Sequence, residues 1–169
     1  MPASPEDLFA YLDRLGLDHE TRWHEATFTV DEGRDLKETM PGGHTKNLFM
    51  KDKDGVIVLI AAHVESELKL NQLHKLIGTR RLSFASGELM EELLGVTPGS
   101  VTAFSLINDT EKKVQFIVDA ALMAFETLNF HPLVNTGTTA ISCSDFKRFV
   151  DATGHDLTIV DFAALLPDA

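Results

Sequence analysis

One cysteine, Cys143, is the only thiol in 169 residues, which excludes an internal disulfide and fits a reducing compartment. The longest apolar runs, such as Val56 to Ala62, are far too short to cross a bilayer. The chain starts Met-Pro-Ala-Ser-Pro-Glu-Asp, with neither a basic start nor an apolar signal core. The expectation is therefore a cytoplasmic protein with no membrane contact. Seven histidines are scattered without the regular spacing of a zinc site, so neither a metal nor a bound cofactor is expected. The Gly-x-Ser-x-Gly elbow and the glycine patterns that cradle phosphates and dinucleotides are all missing. Cys143 stands at a helix start, where a thiolate would be stabilised, but one cysteine so placed reads as a small structural residue.

What is present suits one soluble domain over 1–169, with 44% hydrophobic and 24% charged residues. The formal charge of −11 speaks against DNA and against nonspecific nucleic-acid binding. Its distribution is uneven. From Lys46 to Arg81 seven basic residues face four acidic ones, a net of +3 between flanks of −6 and −8. Such a window can touch a phosphate backbone without clinging to every RNA, or it can be solvated surface charge.

Ser4-Pro5-Glu6-Asp7 is a helix start, with a hydroxyl cap, proline in the first turn and carboxylates at the positive dipole end. Thr29 and Glu32 form a second cap, predicting a helix to about Met40 that Pro41-Gly42-Gly43 breaks. Asp52-Lys53-Asp54-Gly55 lies between two β-rich runs and predicts a hairpin. Val56–Ala62 is apolar without alternation, as a strand covered on both faces would be. Helices are expected from Leu68 to Ile77, from Ser86 to Leu94, and after Ser142 or Ser144. Strands are expected from Ser100 to Leu106, at Val114–Val118, Thr127–Phe130 and Ala140–Ile141, with a last edge at Leu157–Val160. The order mixes helices and hairpins, so the fold class is α+β around a mixed sheet.

Three backbone-rich loops remain, Pro41–Asn47, Pro98–Ala103 and Asn135–Ala140, together with His131-Pro132 at a strand end. Loops of Gly, Ser and Thr offer many N–H donors and little bulk, which suits holding a carbonyl and its oxyanion. Taken singly, each loop reads as a plain turn and His131 as a hydrogen-bonded structural histidine. Lys46, behind its glycine pair, is placed to grip a phosphate or a carbonyl, or simply to meet solvent.

Gly43-His44-Thr45-Lys46-Asn47-Leu48-Phe49, Gly99-Ser100-Val101-Thr102, Ile107-Asn108-Asp109 and Asn129-Phe130-His131-Pro132-Leu133, followed by Thr138-Thr139-Ala140-Ile141, resemble the YbaK/ProX family of aminoacyl-tRNA deacylases. The likeness runs from about Phe28 to about Val150, and its spacing is most similar to the freestanding alanyl-tRNA(Pro) editing members.

The resemblance implies the editing-domain fold shared by YbaK and prolyl-tRNA synthetase, a mixed and partly barrel-like sheet surrounded by helices. It implies a carboxylic ester hydrolase that removes alanine from mischarged tRNA(Pro), touching the acceptor end and, transiently, prolyl-tRNA synthetase. A pocket shaped for proline cannot strongly exclude something smaller, so a second and smaller sieve is needed. Lys46 is then the lysine that engages the terminal nucleotide, with His44, Thr45 and Asn47 beside it. Gly99 opens a loop, with Ser100 and Val101, whose amides hold the ester carbonyl. His131 lines the pocket, Gly137, Thr138 and Thr139 form the opposite wall, and Val30, with Leu36 and Met40, covers the adenosine. The family's chemistry enlists the 2′-hydroxyl of the terminal ribose. Two positions depart from the pattern: Ala103 stands where proline is usual, and Ser105 where glycine is frequent. Alternative readings are a deacylase for cysteine or serine, or a catalytically weak module that binds tRNA or a synthetase.

Overall fold

The computed structural model describes residues 2–26, Leu36 and residues 38–165. Helix α1 (Pro5–Arg14) begins as its sequence dictates. The Ser4 hydroxyl accepts from Asp7 N–H at 3.1 Å, and the Asp7 carboxylate accepts from Ser4 N–H at 2.9 Å. Strands β1 (His19–Trp23), β2 (Gly43–Lys51) and β3 (Ile57–His63) follow, then α2 (Leu73–Ile77) and the short β4 (Ser83–Phe84). Next come α3 (Gly87–Leu94), a 3-10 helix (Ala103–Asn108), β5 (Val114–Asp119) and a second 3-10 helix (Ala120–Ala124). The chain continues through β6 (Thr127–Phe130), β7 (Gly137–Ser142), α4 (Cys143–Ala152), β8 (Thr158–Val160) and a 3-10 turn (Phe162–Leu165).

The strands form one mixed sheet in the order β1-β7-β6-β2-β3-β5-β8, with β4 also on β2. The β2–β3 hairpin is antiparallel, while β6–β2, β3–β5 and β5–β8 are parallel. The Asp52 carboxylate builds the hairpin turn by accepting from Asp54 N–H at 2.9 Å and Val56 N–H at 2.8 Å. Among the described residues β1 and β8 are the two ends of the path.

The apolar run in β3 is covered on both faces. Leu59 and Ala61 join a core with Leu8, Leu12, Phe104, Phe116, Phe130, Phe146 and Phe149. Val58 and Ile60 join a second, with Met50, Leu73, Ile117 and Phe162. In the first, Phe104 meets Phe130 edge-on at 5.3 Å and Phe130 stacks on Phe146 at 4.7 Å. Ser86 and Ser142 cap α3 and α4, and Gly95 closes α3 in the left-handed region. Cys143 is buried at the first position of α4, in keeping with a structural residue. Among the described residues no helix is long and apolar enough to cross a membrane.

Several expectations are corrected. Ser100 to Leu106 is no strand: the Thr102 hydroxyl accepts from Phe104 N–H and starts the 3-10 helix at Ala103. The helix expected from Leu68 is confined to Leu73–Ile77. Gly43–Asn47 and Gly137–Ala140 are strand residues of β2 and β7, because each finds partners across the sheet. Strand β1 was not foreseen at all. Of the helix expected after Thr29, Leu36, Glu38 and Thr39 are helical, whereas Thr29, Val30 and Glu32 lie outside the described residues.

The glycine pair before Lys46 has a packing role inside the fold. Gly42 has φ +113°, and a Cβ there would run into the Thr127 carbonyl; a Cβ on Gly43 would sit 2.9 Å from the Phe125 ring. Gly42 admits the close approach of β2 to β6, and Gly43 that of β2 to the Phe125 ring just before β6.

Candidate active site

The parallel β6–β2 pairing places His44 beside Asn129, and Asn129 lies opposite Ala140 on β7. Side chains alternate along each strand. Two residues further in the same register come Lys46 on β2, His131 at the exit of β6, Thr138 on β7 and Arg22 on β1. His44, Lys46, Asn129, His131, Thr138 and Arg22 thus share one face. His24 joins them: its Nε2 lies 2.8 Å from Thr138 Oγ1, and its ring centroid is 6.4 Å from that of His131.

Three other candidates point the opposite way. Thr45 Oγ1 donates to the Asn129 carbonyl at 2.7 Å, Asn47 Nδ2 donates to Thr45 Oγ1 at 3.4 Å, and Thr139 Oγ1 is 2.7 Å from Thr21 Oγ1. Among the described residues, buried Asn47 Oδ1 meets no hydrogen-bond donor. These residues brace the sheet behind Lys46 and His131.

Lys46 is half-buried, and its Nζ donates to the Ser66 carbonyl at 2.6 Å. That bond uses one of three donors and leaves two for a ligand. His131 Nδ1 lies 2.9 Å from the Gly137 carbonyl, which as an acceptor assigns the proton to Nδ1. Burial holds His131 below the usual histidine range, reinforced by the nearby His24 and opposed by the bond to Gly137. A neutral imidazole so fixed presents Nε2 as an acceptor.

Gly137 itself has no room for a side chain, since a Cβ would be 2.9 Å from the Trp23 ring and 3.1 Å from Pro132. Leu133, in the loop between His131 and Gly137, is held at φ +70° with its side chain in the core. A leucine in the left-handed region is strained, and such residues gather where a loop must hold a set geometry. Gly99, at φ +93°, approaches the same loop: a Cβ there would lie 3.4 Å from Asn135 Nδ2. Ser100 N–H goes back to the Thr97 carbonyl at 2.9 Å, while among the described residues the amides of Val101 and Thr102 meet no backbone acceptor. Ser100 and Thr102 are both buried.

Chemically, one face of the sheet offers a cation and an imidazole acceptor, and the Gly99 loop, set against Asn135, offers donor amides. Among the described residues no three His, Cys, Asp or Glu side chains converge as metal ligands. Sequence reasoning missed Arg22, His24 and Asn129. Arg22 and His24 escaped because β1 is a polar edge strand without apolar alternation, and Asn129 because its role depends on pairing with β2.

Two expectations follow from this geometry. As pH falls below about 6.5, the unfolded chain takes up a proton at position 131 that the native state refuses. Stability therefore drops through the window between the ordinary histidine value and the lower native one. His131→Asn should flatten that drop in denaturant titrations run from pH 7 to pH 5. The backbone at Ala103 is one that proline could also adopt. Thr102 is extended at φ −154° and ψ 151°, as a residue before proline must be, and Ala103 opens the 3-10 helix, where no N–H bond is lost. Ala103 is fully buried, so in Ala103→Pro a stiffening gain of about 0.4–1 kcal/mol meets about 1–3 kcal/mol of crowding by the added ring carbons, and the denaturant midpoint should fall slightly.

A family model for the aminoacyl-tRNA editing domain matches residues 24–149. A mouse protein, prolyl-tRNA synthetase associated domain-containing protein 1, is 36% identical over 156 residues, spanning 89% of this chain and 92% of its own length. The prolyl-tRNA editing protein ProX of Acetoanaerobium sticklandii is 28% identical over 155 residues, spanning 91% and 94%. In fold, the chain resembles a solved candidate trans-editing enzyme for prolyl-tRNA synthetase, with TM-score 0.67 at 16% identity over 95% of this chain and 99% of the other.

Proposed function

This chain belongs to the aminoacyl-tRNA editing domain family, and on that premise we propose that it hydrolyses the ester joining alanine to the 3′-terminal adenosine of tRNA(Pro). The observation that carries this reading is the shared face of Lys46 and His131, with the Gly137 carbonyl on the His131 ring and Gly99 against Asn135 of the loop between His131 and Gly137. The Lys46 ammonium meets a phosphate of the terminal nucleotide. Amides of the Gly99 loop, at Val101 and Thr102, face the ester carbonyl, where negative charge develops in the tetrahedral intermediate. His131 Nε2 accepts a hydrogen bond at the aminoacyl end of the pocket. Water adds to the carbonyl carbon, the ester C–O bond breaks, and the 3′-oxygen leaves with a proton, aided by the neighbouring 2′-hydroxyl. An activated ester of this kind needs placement and oxyanion stabilisation more than a strong base.

The contact is confined to the acceptor end. The end of β2, the hairpin turn and the segment before β4 carry exposed Lys51, Lys53, Arg80 and Arg81, where the charge window is positive. Any meeting with prolyl-tRNA synthetase is brief, because the substrate is released before editing.

A deacylation panel tests the reading, with tRNA(Pro) carrying alanine, serine, cysteine or proline and enzyme well below substrate. Alanine should leave fastest and proline should stay. Faster loss of serine or cysteine would reassign the amino acid, and binding without turnover would make the protein a tRNA-binding module.

A further inference from the structure

Behind Lys46 stands a buried carboxylate that the hydrolytic reading does not use. Asp119 ends β5 and is 2% exposed. Its Oδ1 accepts from Ala121 N–H at 3.0 Å, capping the second 3-10 helix. Its Oδ2 accepts from His63 N–H at 3.0 Å and from the Ser66 hydroxyl. His63 and Ser66 bound the tight turn that leaves β3, closed by Ser66 N–H to the His63 carbonyl at 2.9 Å. The turn is tied to β2 by Val64 N–H to the His44 carbonyl at 2.9 Å, and the His63 ring stacks on Phe125 at 5.0 Å. The Ser66 carbonyl is the group that receives Lys46 Nζ.

We infer that Asp119 is a positioning residue for Lys46, acting through Ser66. The inference rests on the role of Lys46 proposed above. A lysine carries four rotatable bonds, and left alone its ammonium would sample many positions over the site. One carbonyl at 2.6 Å removes that freedom before substrate arrives, provided the carbonyl is itself fixed. The Ser66 carbonyl belongs to a turn, and a turn keeps its direction only if its own polar groups are held. Asp119 holds two points of that turn, the His63 amide and the Ser66 hydroxyl, from the rigid end of a central strand. The three donors that this buried carboxylate accepts all come from the protein itself, so its oxygens are committed to the turn and to the 3-10 helix. It therefore anchors the turn and leaves the lysine's charge for the ligand.

The test is a double-mutant cycle between Asp119→Asn and Lys46→Ala, with Ser66→Ala as the milder second probe. Single-turnover deacylation with enzyme in excess keeps slow variants measurable. Asp119→Asn keeps the shape of the side chain and gives up its charge and one acceptor oxygen. It should lower kcat/KM about 10-fold, the scale of a lost charge-assisted hydrogen bond. Ser66→Ala should lower it in the same direction by less. In the Lys46→Ala background neither change should cost more than about 2-fold, because independent effects add and effects through a shared group do not. A merely structural Asp119 would cost as much with the lysine absent as with it present. Full additivity, or wild-type kcat/KM in both single variants, overturns the inference while leaving the hydrolytic reading in place. If Asp119→Asn does not fold, Ser66→Ala decides on the same two criteria. Full activity of Lys46→Ala would remove both the assigned lysine role and this inference.

Discussion

Lys46→Ala should lower kcat/KM for Ala-tRNA(Pro) by about 100-fold, equivalent to about 2.7 kcal/mol of transition-state stabilisation. The magnitude follows from the site's composition. Lys46 sits level with His131 on the shared face, and its ammonium keeps two donors after bonding Ser66. In the proposed role, removing the ammonium leaves the phosphate of the terminal nucleotide without its cation, so the acylated end is no longer held against the Gly99 amides. The cost to folding should be small, about 1 kcal/mol for one half-buried hydrogen bond, or a few degrees in Tm. Lys46→Met separates charge from packing, since it keeps the apolar stem. An equal loss in Met and Ala variants identifies the ammonium as the active element. Wild-type rates in either variant would refute the role.

Gly42→Ala should destabilise the fold by about 2–5 kcal/mol, which lowers Tm by roughly 5–20 °C in a chain of this size. Two costs add. At φ +113° an L side chain is strained by about 1–2 kcal/mol. The new methyl would also press on Thr127, whose carbonyl carbon would be 2.9 Å away and Cβ 3.0 Å. Thr127 begins β6, and the next pair in register is Gly43 with Leu128, so backbone must move to make room. That movement shifts β2 against β6, the pairing that brings Lys46 level with His131, and activity should fall along with stability. Gly16→Ala is the control: φ is +73°, but nothing lies within 4 Å of a Cβ. It should cost only the backbone strain. Equal Tm losses at the two positions would sink the packing argument.

Much of the fold was legible where a structure closes on itself within a few residues. Ser4 with Asp7, Ser86, Gly95 and Ser142 mark helix ends because their hydrogen bonds and left-handed turns involve neighbours in the chain. Asp52 and Gly55 set the β2–β3 hairpin for the same reason, and the unbroken apolar run of β3 announced burial on both faces. The motifs around Lys46, Gly99, His131 and Thr138 pointed to the editing family, whose model matches most of the chain.

The rest depended on partners supplied from elsewhere. Strand β1 is polar and exposed, and it is a strand because β7 offers a continuous register from His19–Ile141 to Trp23–Gly137. The glycine-bearing stretches Gly43–Asn47 and Gly137–Thr139 read as loops until β6 pairs with both. Pairing also divided the candidate residues, turning Lys46 and His131 to one face and Thr45, Asn47 and Thr139 to the other. Sequence alone determined where α1, α3 and α4 begin and where the β2–β3 hairpin turns, because caps and turns are local. Only the tertiary structure decided which segments became strands, which side chains met, and that a carboxylate 73 residues beyond Lys46 would steady its anchor. Strand pairing, unlike a cap, draws its hydrogen bonds from distant segments, so its outcome is written in the assembled sheet.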